Sequence, residues 1–309
     1  MKERAAALLI EEAFPDFQVD IIEIAGEGDF CLGYTVNGHW LVRLARNAEA
    51  SRALRVEAAL MPRLAPSVNL PVPVIERIAP YRGDLLAAVH RKIEGVPLTR
   101  ELYDSLPPGA QQQAVRDLAH FLRSLHDTSL AAAREAGVPS CDYPFCRTED
   151  GITPGSAPEQ YSAALDKLLA YPQIDRDTAH FCAGVVRALL RQERDDPAAP
   201  APVHGDLSAE HVLFNVRRER ITGVIDFTDV ILTDPALDLM YLYSAYGDAF
   251  LGELLRHYAP DRSEPLAGRV RLLHRWYAVL RLLWPLEHGY PEAVERRLAE
   301  LRALVDEGL

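Results

Sequence analysis

His204-Gly205-Asp206-Leu207-Ser208-Ala209-Glu210-His211 places two imidazoles and a carboxylate in one short stretch, and Asp226 follows at the end of the apolar run Val224-Ile225. An aspartate is ordinarily ionised at neutral pH, so Asp206 can accept a hydrogen bond from an incoming hydroxyl and orient it. A carboxylate at the end of an apolar strand is poorly explained by packing. It suits Mg²⁺, a hard cation that takes one or two carboxylates together with phosphate oxygens. Taken alone, each aspartate has an ordinary reading: a loop residue or helix cap at Asp206, a turn-former at Asp226. Together, in this order and behind a β-rich first segment, they point to phosphoryl transfer.

The elements that must hold these groups follow from periodicity. Residues 3–13 read as an amphipathic helix. Strands are expected over 18–25, 30–36 and 39–45, with a break at Gly26-Glu27-Gly28-Asp29 and a hairpin turn at Asn37-Gly38, where both residues tolerate positive φ. A helix over 48–65 shows Leu54, Ala58, Met61 and Leu64 on one face. Strands over 72–78 and 85–93 complete a mostly antiparallel sheet. Beyond Gly95 helices dominate: 110–127, 159–170, 176–194, 236–245, 248–258, 264–284 and 290–306. Residues 139–158 read as a long loop and 195–202 as a short extended linker. Brief strands are expected near Val203, over 212–215 and over 221–225. The expected domains are a nucleotide-binding lobe over 1–92 and a catalytic, acceptor-binding helical lobe over 93–309. The cleft between such lobes, near Lys92 to Gly95, is a favoured place for a ligand.

Composition narrows the classes. The 309 residues are 49% hydrophobic and 25% charged, as in a soluble globular protein. No apolar run approaches the roughly 18 residues of a membrane span, and the N-terminal residues lack a cleavage pattern for export. A cytoplasmic, membrane-free monomer is the expectation. A net charge of −12 disfavours nucleic acid as a partner. Cys31, Cys141, Cys146 and Cys182 form no CxxC pair and read as reduced thiols, not a zinc site.

On the residues around Asp206 and Asp226 the chain resembles the aminoglycoside phosphotransferase family, within the protein-kinase-like fold. A kinase catalytic loop runs His-Arg/Gly-Asp, four residues, then Asn; here it is His204-Gly205-Asp206, then His211. Asp226-Phe227-Thr228 stands for the metal-binding DFG triplet, and Asp229-Val230 through Asp234-Pro235-Ala236-Leu237-Asp238-Leu239 is typical of these antibiotic kinases. Histidine in place of Asn resembles the 2″-phosphotransferase-like members. The resemblance implies an α+β, two-lobed fold with a small antiparallel sheet and one helix beside it, followed by a larger helical lobe. It also implies Asp206 as the catalytic group, Asp226 and His211 as metal ligands, Mg²⁺, and ATP or GTP as donor. Mg²⁺ prefers oxygen to nitrogen, so His211 equally reads as a hydrogen-bonding structural residue.

In the first lobe, Gly26 and Gly28 could let backbone amides cover phosphates. Arg43 stands where the kinase lysine belongs, with Glu57 as its partner and Arg46 as a competitor; alternatively Arg43 and Glu57 are solvated surface charges. Arg91, Lys92 and Ile93 occupy the hinge position, whose backbone would meet a purine. An aminoglycoside is a polycation, so its pocket wants carboxylates; Asp229, Asp238, Asp248 and Glu287 are the substrate-binding candidates, although Asp238 also reads as a helix cap or loop brace. The expected activity is therefore a phosphotransferase with an alcohol acceptor, acting on an aminoglycoside. Alternatives are a macrolide, a metabolite such as choline, homoserine or an amino sugar, a non-catalytic nucleotide-binding module, and a metal hydrolase using His204, Asp206 and His211.

Overall fold

The computed structural model describes residues 3–28, 30–148, 151–152 and 155–307. Met1, Lys2, Asp29 of the expected chain break, and residues 149–150 and 153–154 of the expected loop lie outside them. The chain divides into two compact units. The first comprises Met1–Ser140, Arg147–Thr153 and Ala201–Leu232; the second comprises Cys141–Cys146, Pro154–Pro200 and Thr233–Leu309.

The first unit opens with α1 (Glu3–Ala13), β1 (Ile22–Glu27), β2 (Cys31–Val36), β3 (Trp40–Ala45), α2 (Ala48–Leu64), β4 (Ile75–Arg82) and β5 (Leu85–Arg91). The five strands form one antiparallel sheet in the order β1-β2-β3-β5-β4. The period-2 alternation sends Val42, Leu44, Ala87 and Val89 to one face, in a core with Ala6 and Ile10 from α1 and Phe14 just after it. Ala45, Leu86 and Ala88 face the other way, onto Ala50 and Leu54 of α2. Each large apolar side chain fully buried in such a layer contributes about 1.5–3 kcal/mol.

Local chemistry explains the boundaries. Asn37 sits at φ 51° and Gly38 at φ 75°, the left-handed pair that a tight hairpin requires. The Asn37 side chain also accepts from the amides of Asp20 and Ile21, both at 3.0 Å. That fixes the chain before β1, and the strand starts at Ile22 instead of Gln18. The expected break at Gly26 is absorbed by an irregularity between Ile24 and Gly26, so β1 continues to Glu27. Asn47 caps α2 by accepting from the Ala50 amide at 2.8 Å.

The rest of the first unit holds β6 (Val96–Pro97), α3 (Arg100–Ser105), α4 (Pro108–His126), α5 (Leu130–Glu135), the short strands β7 (Arg147–Thr148) and β8 (Gly151–Ile152), β9 (Ala201–Val203), β10 (Val212–Asn215) and β11 (Arg220–Val224). Strands β11-β10-β6 form a three-stranded sheet, and β12 (Ile231–Thr233) pairs with β9. The helices α3 and α5 lie in stretches that periodicity left unassigned.

The second unit is helical: α6 (Ala157–Leu169), α7 (Arg176–Asp195), α8 (Ala236–Tyr258), α9 (Ser263–His288) and α10 (Pro291–Glu307). The two helices expected over 236–258 are both present: α8 consists of two helical segments separated at Gly247, which takes φ 80°. Trp276 is fully buried and donates to the Tyr143 hydroxyl at 3.0 Å. Among the described residues no helix is long and apolar enough to cross a membrane.

Candidate active site

The expected catalytic stretch lies between β9 and β10. His204 is fully buried. Its Nδ1 accepts from the Asp206 amide at 3.3 Å, and its Nε2 donates to the Ile225 carbonyl at 2.9 Å. Those two bonds make His204 a strut between the Asp206 loop and the end of β11. Gly205 takes φ +87°, and a Cβ there would stand 2.2 Å from the Asp229 carbonyl oxygen. Only glycine lets the two loops approach this closely.

His211 sits between the two aspartates. Its Nδ1 lies 2.6 Å from the Asp206 backbone oxygen, and because a carbonyl only accepts, Nδ1 carries the proton. In the neutral ring Nε2 is then a bare lone pair, 3.7 Å from Asp226 Oδ2. Two acceptors facing each other over that gap favour a cation between them. Asp226 Oδ1 is already held by the Thr228 hydroxyl, which leaves Oδ2 for such a guest. Asp226 adopts φ 65°, an unfavourable left-handed conformation for a residue other than glycine. Strain of this kind, held by surrounding structure, is common where a side chain must be aimed.

Asp226 is ringed by protein, yet 46% of its side-chain surface is accessible, as befits a group on the floor of an open cavity. Burial works against its charge. The Arg43 guanidinium, the Thr228 hydrogen bond and the imidazoles of His211 and His204 outweigh that cost and hold its carboxyl below the usual range. The residues fit a hard divalent ion that retains much of its water: one free carboxylate oxygen and one imidazole nitrogen converge. Among the described residues no cluster of three or more such groups builds a full protein cage, in keeping with the way Mg²⁺ is bound beside phosphates.

Arg43 on β3 and Glu57 on α2 form a two-bond fork, Nη1 to Oε1 at 2.9 Å and Nη2 to Oε2 at 2.6 Å. Helical spacing puts Glu57 on the buried face with Leu54 and Met61, so it meets the sheet and not solvent. Both side chains are buried, which removes the surface-charge reading. Burial pulls against the Arg43 proton and Glu57 more than restores it. Burial lifts the Glu57 carboxyl against the pull of Arg43, and the fork keeps it a carboxylate. Among the described residues Arg43 Nε has no partner. Arg46, the competitor, is exposed and donates to the Gly28 carbonyl at 2.9 Å.

These groups share one cavity of about 450 Å³, wholly within the first unit. Gly26, Gly28, Arg43, Lys92, Ile93, Asp206, His211, Asp226 and Asp229 all line it, from both the five-stranded sheet and the β10–β11 region. Gly223 on β11 lets the hinge pack down: a Cβ there would lie 2.7 Å from the Pro71 carbonyl and 2.8 Å from Ile93.

Other expected residues lie elsewhere. Glu57 stands behind Arg43 and does not line the cavity. The side chain of Arg91, whose expected hinge role belongs to its backbone, turns outward with its guanidinium 3.7 Å over the Trp40 ring. Asp238 is fully buried in the first turn of α8. Asp248 pairs with Arg271 at 2.7 Å and Glu287 with Lys167 at 2.9 Å. Of the acceptor carboxylates, Asp229 alone borders the cavity. Sequence reasoning assigned no role to Thr228 or to His90, a buried imidazole in the cavity wall. The signal for His90 was a histidine directly closing the apolar run Leu85–Val89.

Comparison with known proteins gives the following. A model of the phosphotransferase enzyme family, APH, matches residues 25–273. The protein YcbJ of Bacillus subtilis (strain 168) is 22% identical over 268 residues, 83% of this chain and 76% of its own length. Viomycin phosphotransferase of Streptomyces vinaceus is 42% identical over 104 residues, 33% of this chain and 36% of its own. The GDP and kanamycin complex of APH(2")-IIia superposes with a TM-score of 0.86 at 23% identity, covering 99% of both chains. Macrolide 2'-phosphotransferase type I gives 0.69 at 21% identity, over 97% of this chain and 99% of that one. These likenesses establish the α+β, protein-kinase-like fold.

Proposed function

Because the chain belongs to the APH phosphotransferase enzyme family and is a phosphotransferase, we propose that it moves the γ-phosphoryl group of a nucleoside triphosphate to a hydroxyl of a cationic antibiotic, foremost an aminoglycoside. The observation that carries this is the shared cavity: Asp206, Asp226, His211 and Arg43 line it together with the hinge residues Lys92 and Ile93.

In this reading residues 1–92 supply the donor side. Gly26 and Gly28 cover the phosphates, Arg43 pairs with their oxygens while Glu57 holds it in place, and the hinge meets the purine. Residues 93–309 supply the catalytic and acceptor groups. Asp206, with 39% of its side chain accessible, takes a hydrogen bond from the acceptor hydroxyl and aligns it with the γ-phosphorus. Asp226 and His211 would hold Mg²⁺, which supplies neutralisation of the charge spread over the phosphate oxygens. Asp229 is the carboxylate best placed for a cationic acceptor. Among the named relatives one is a complex with GDP and kanamycin, one a viomycin phosphotransferase and one a macrolide 2'-phosphotransferase, and a macrolide is the second acceptor class. The enzyme is proposed to work as a monomer in the cytoplasm, where nucleoside triphosphates are found.

The test is a panel of purified acceptors (aminoglycosides, macrolides, choline, homoserine and amino sugars) with ATP and with GTP. Turnover of an aminoglycoside is expected. Turnover of another class alone would reassign the acceptor. Nucleotide binding without transfer to any acceptor would make the protein a binding module.

A further inference from the structure

His90 is the one imidazole of the cavity wall that the proposed chemistry does not use. Strand register places it opposite Leu41 on β3, and Arg43 opposite Ala88. Residues two apart on a strand share a face, so Leu41, Arg43 and His90 all look the same way, with His90 displaced from Arg43 by about 7 Å along the sheet. Arg43 marks the phosphate end of the cavity. His90 and Ile93 mark the hinge end.

The protonation of His90 follows from its surroundings. It is 2% exposed. Its Nδ1 lies 2.9 Å from the Arg91 carbonyl oxygen, and a carbonyl can only accept, so Nδ1 carries the hydrogen. Burial, with the Arg43 charge nearby, pushes the imidazole down to about 4. At neutral pH the ring is therefore uncharged and Nε2 is a lone pair with no donor. Among the described residues no group satisfies it. An unsatisfied acceptor in a cavity wall is costly unless a ligand completes it. The neighbouring backbone is partly spent, since the Lys92 amide donates to the His39 carbonyl at 3.0 Å. The Ile93 amide enters no hydrogen bond among the described residues.

We infer that His90 Nε2 reads position 6 of the donor purine, accepting from the exocyclic amino group of adenine and rejecting the 6-oxo group of guanine or hypoxanthine. This inference rests on the proposed nucleotide site. Adenine offers an acceptor at N1 and a donor at N6, matched by a free amide at Ile93 and a lone pair at His90. A 6-oxo purine brings an oxygen lone pair against Nε2. Loss of a hydrogen bond that leaves a buried acceptor unpaired is worth about tenfold or more in affinity.

Titration calorimetry with Mg²⁺ and ADP, IDP or GDP isolates the base from the chemistry, since no acceptor is needed. Wild type should bind ADP at least tenfold more tightly than IDP and GDP. His90→Leu, which removes the acceptor, should cut the preference for ADP over IDP at least about threefold, leaving the part set by the Ile93 amide, which meets a lone pair at N1 of adenine and an N–H at N1 of hypoxanthine. His90→Gln carries both a donor and an acceptor and should also narrow the gap; it serves where the Leu variant folds poorly. Equal binding by wild type, preference for a 6-oxo nucleotide, or a preference undiminished by both substitutions would overturn the role of His90 and leave the nucleotide site standing. Binding of none of the three would overturn the nucleotide site and this inference with it.

Discussion

Two buried arginines, one in each compact unit, make an informative contrast. Arg269 on α9 uses every nitrogen of its guanidinium. Its Nε donates to Asp234, its Nη1 to the Asp196 carbonyl at 2.9 Å and its Nη2 to Glu193 at 2.9 Å. Arg43 uses two, both on Glu57, and leaves Nε unpartnered. Each arginine lines a cavity, so position alone does not separate them. The difference lies in what remains unspent. A saturated guanidinium ties chain segments together, whereas one fixed by a single carboxylate at a cavity wall keeps charge and a donor for an anion.

The strongest way to break this contrast is to remove each cation. Arg43→Leu strands Glu57, and Arg269→Leu strands Asp234 and Glu193. Each should cost about 3–5 kcal/mol in denaturant unfolding. Nucleotide affinity should fall only for the first. Equal loss of affinity in both would refute the distinction. A sharper version removes the whole pair: in Arg43→Leu/Glu57→Leu stability should recover to near the wild-type value, because burying apolar groups replaces burying charge. Nucleotide affinity should not recover. Recovery of both would mean that Arg43 serves the fold alone.

Acid should also distinguish the units. His90 in the first unit has its imidazole lowered from 6.5 to about 4, by burial first and then by the Arg43 charge, opposed by Asp226. The folded protein binds that proton less readily than the unfolded chain. The stability His90 confers is therefore complete above about 6.5 and is lost as pH falls toward about 4. His90→Leu should flatten this limb of the stability profile; an unchanged limb would assign it to another group. The smallest effects belong to the exposed pairs of the second unit. Asp248→Ala and Glu287→Ala should each shift stability by at most about 1 kcal/mol, as surface ion pairs do, and leave nucleotide affinity unaltered.

Much of the site was legible because its signals are local. The spacing from Asp206 to His211 and the carboxylate at the end of β11 are read directly from the chain. The Arg43–Glu57 partnership follows from strand and helix periodicity. His90 was not legible, since a single histidine in an apolar strand usually packs in a core. Arg91 was assigned to the hinge through its backbone; alternation along β5 turns its side chain away from the face that His90 occupies. The acceptor carboxylates were the least legible. Helical spacing cannot say whether a carboxylate meets a ligand or an arginine, and Asp248 and Glu287 meet Arg271 and Lys167. Fold boundaries slipped where one side chain fixed the backbone from a distance, as Asn37 does before β1.

The most direct test of the central claim is Asp206→Asn, with phosphoryl transfer and nucleotide binding measured on the same preparation. The amide keeps the size of the side chain and loses the charge that orients the hydroxyl. Transfer should fall by about 10²–10⁴-fold, with the nucleotide dissociation constant within about threefold of wild type. Undiminished transfer by the Asn variant would contradict the assignment of Asp206 as the catalytic group.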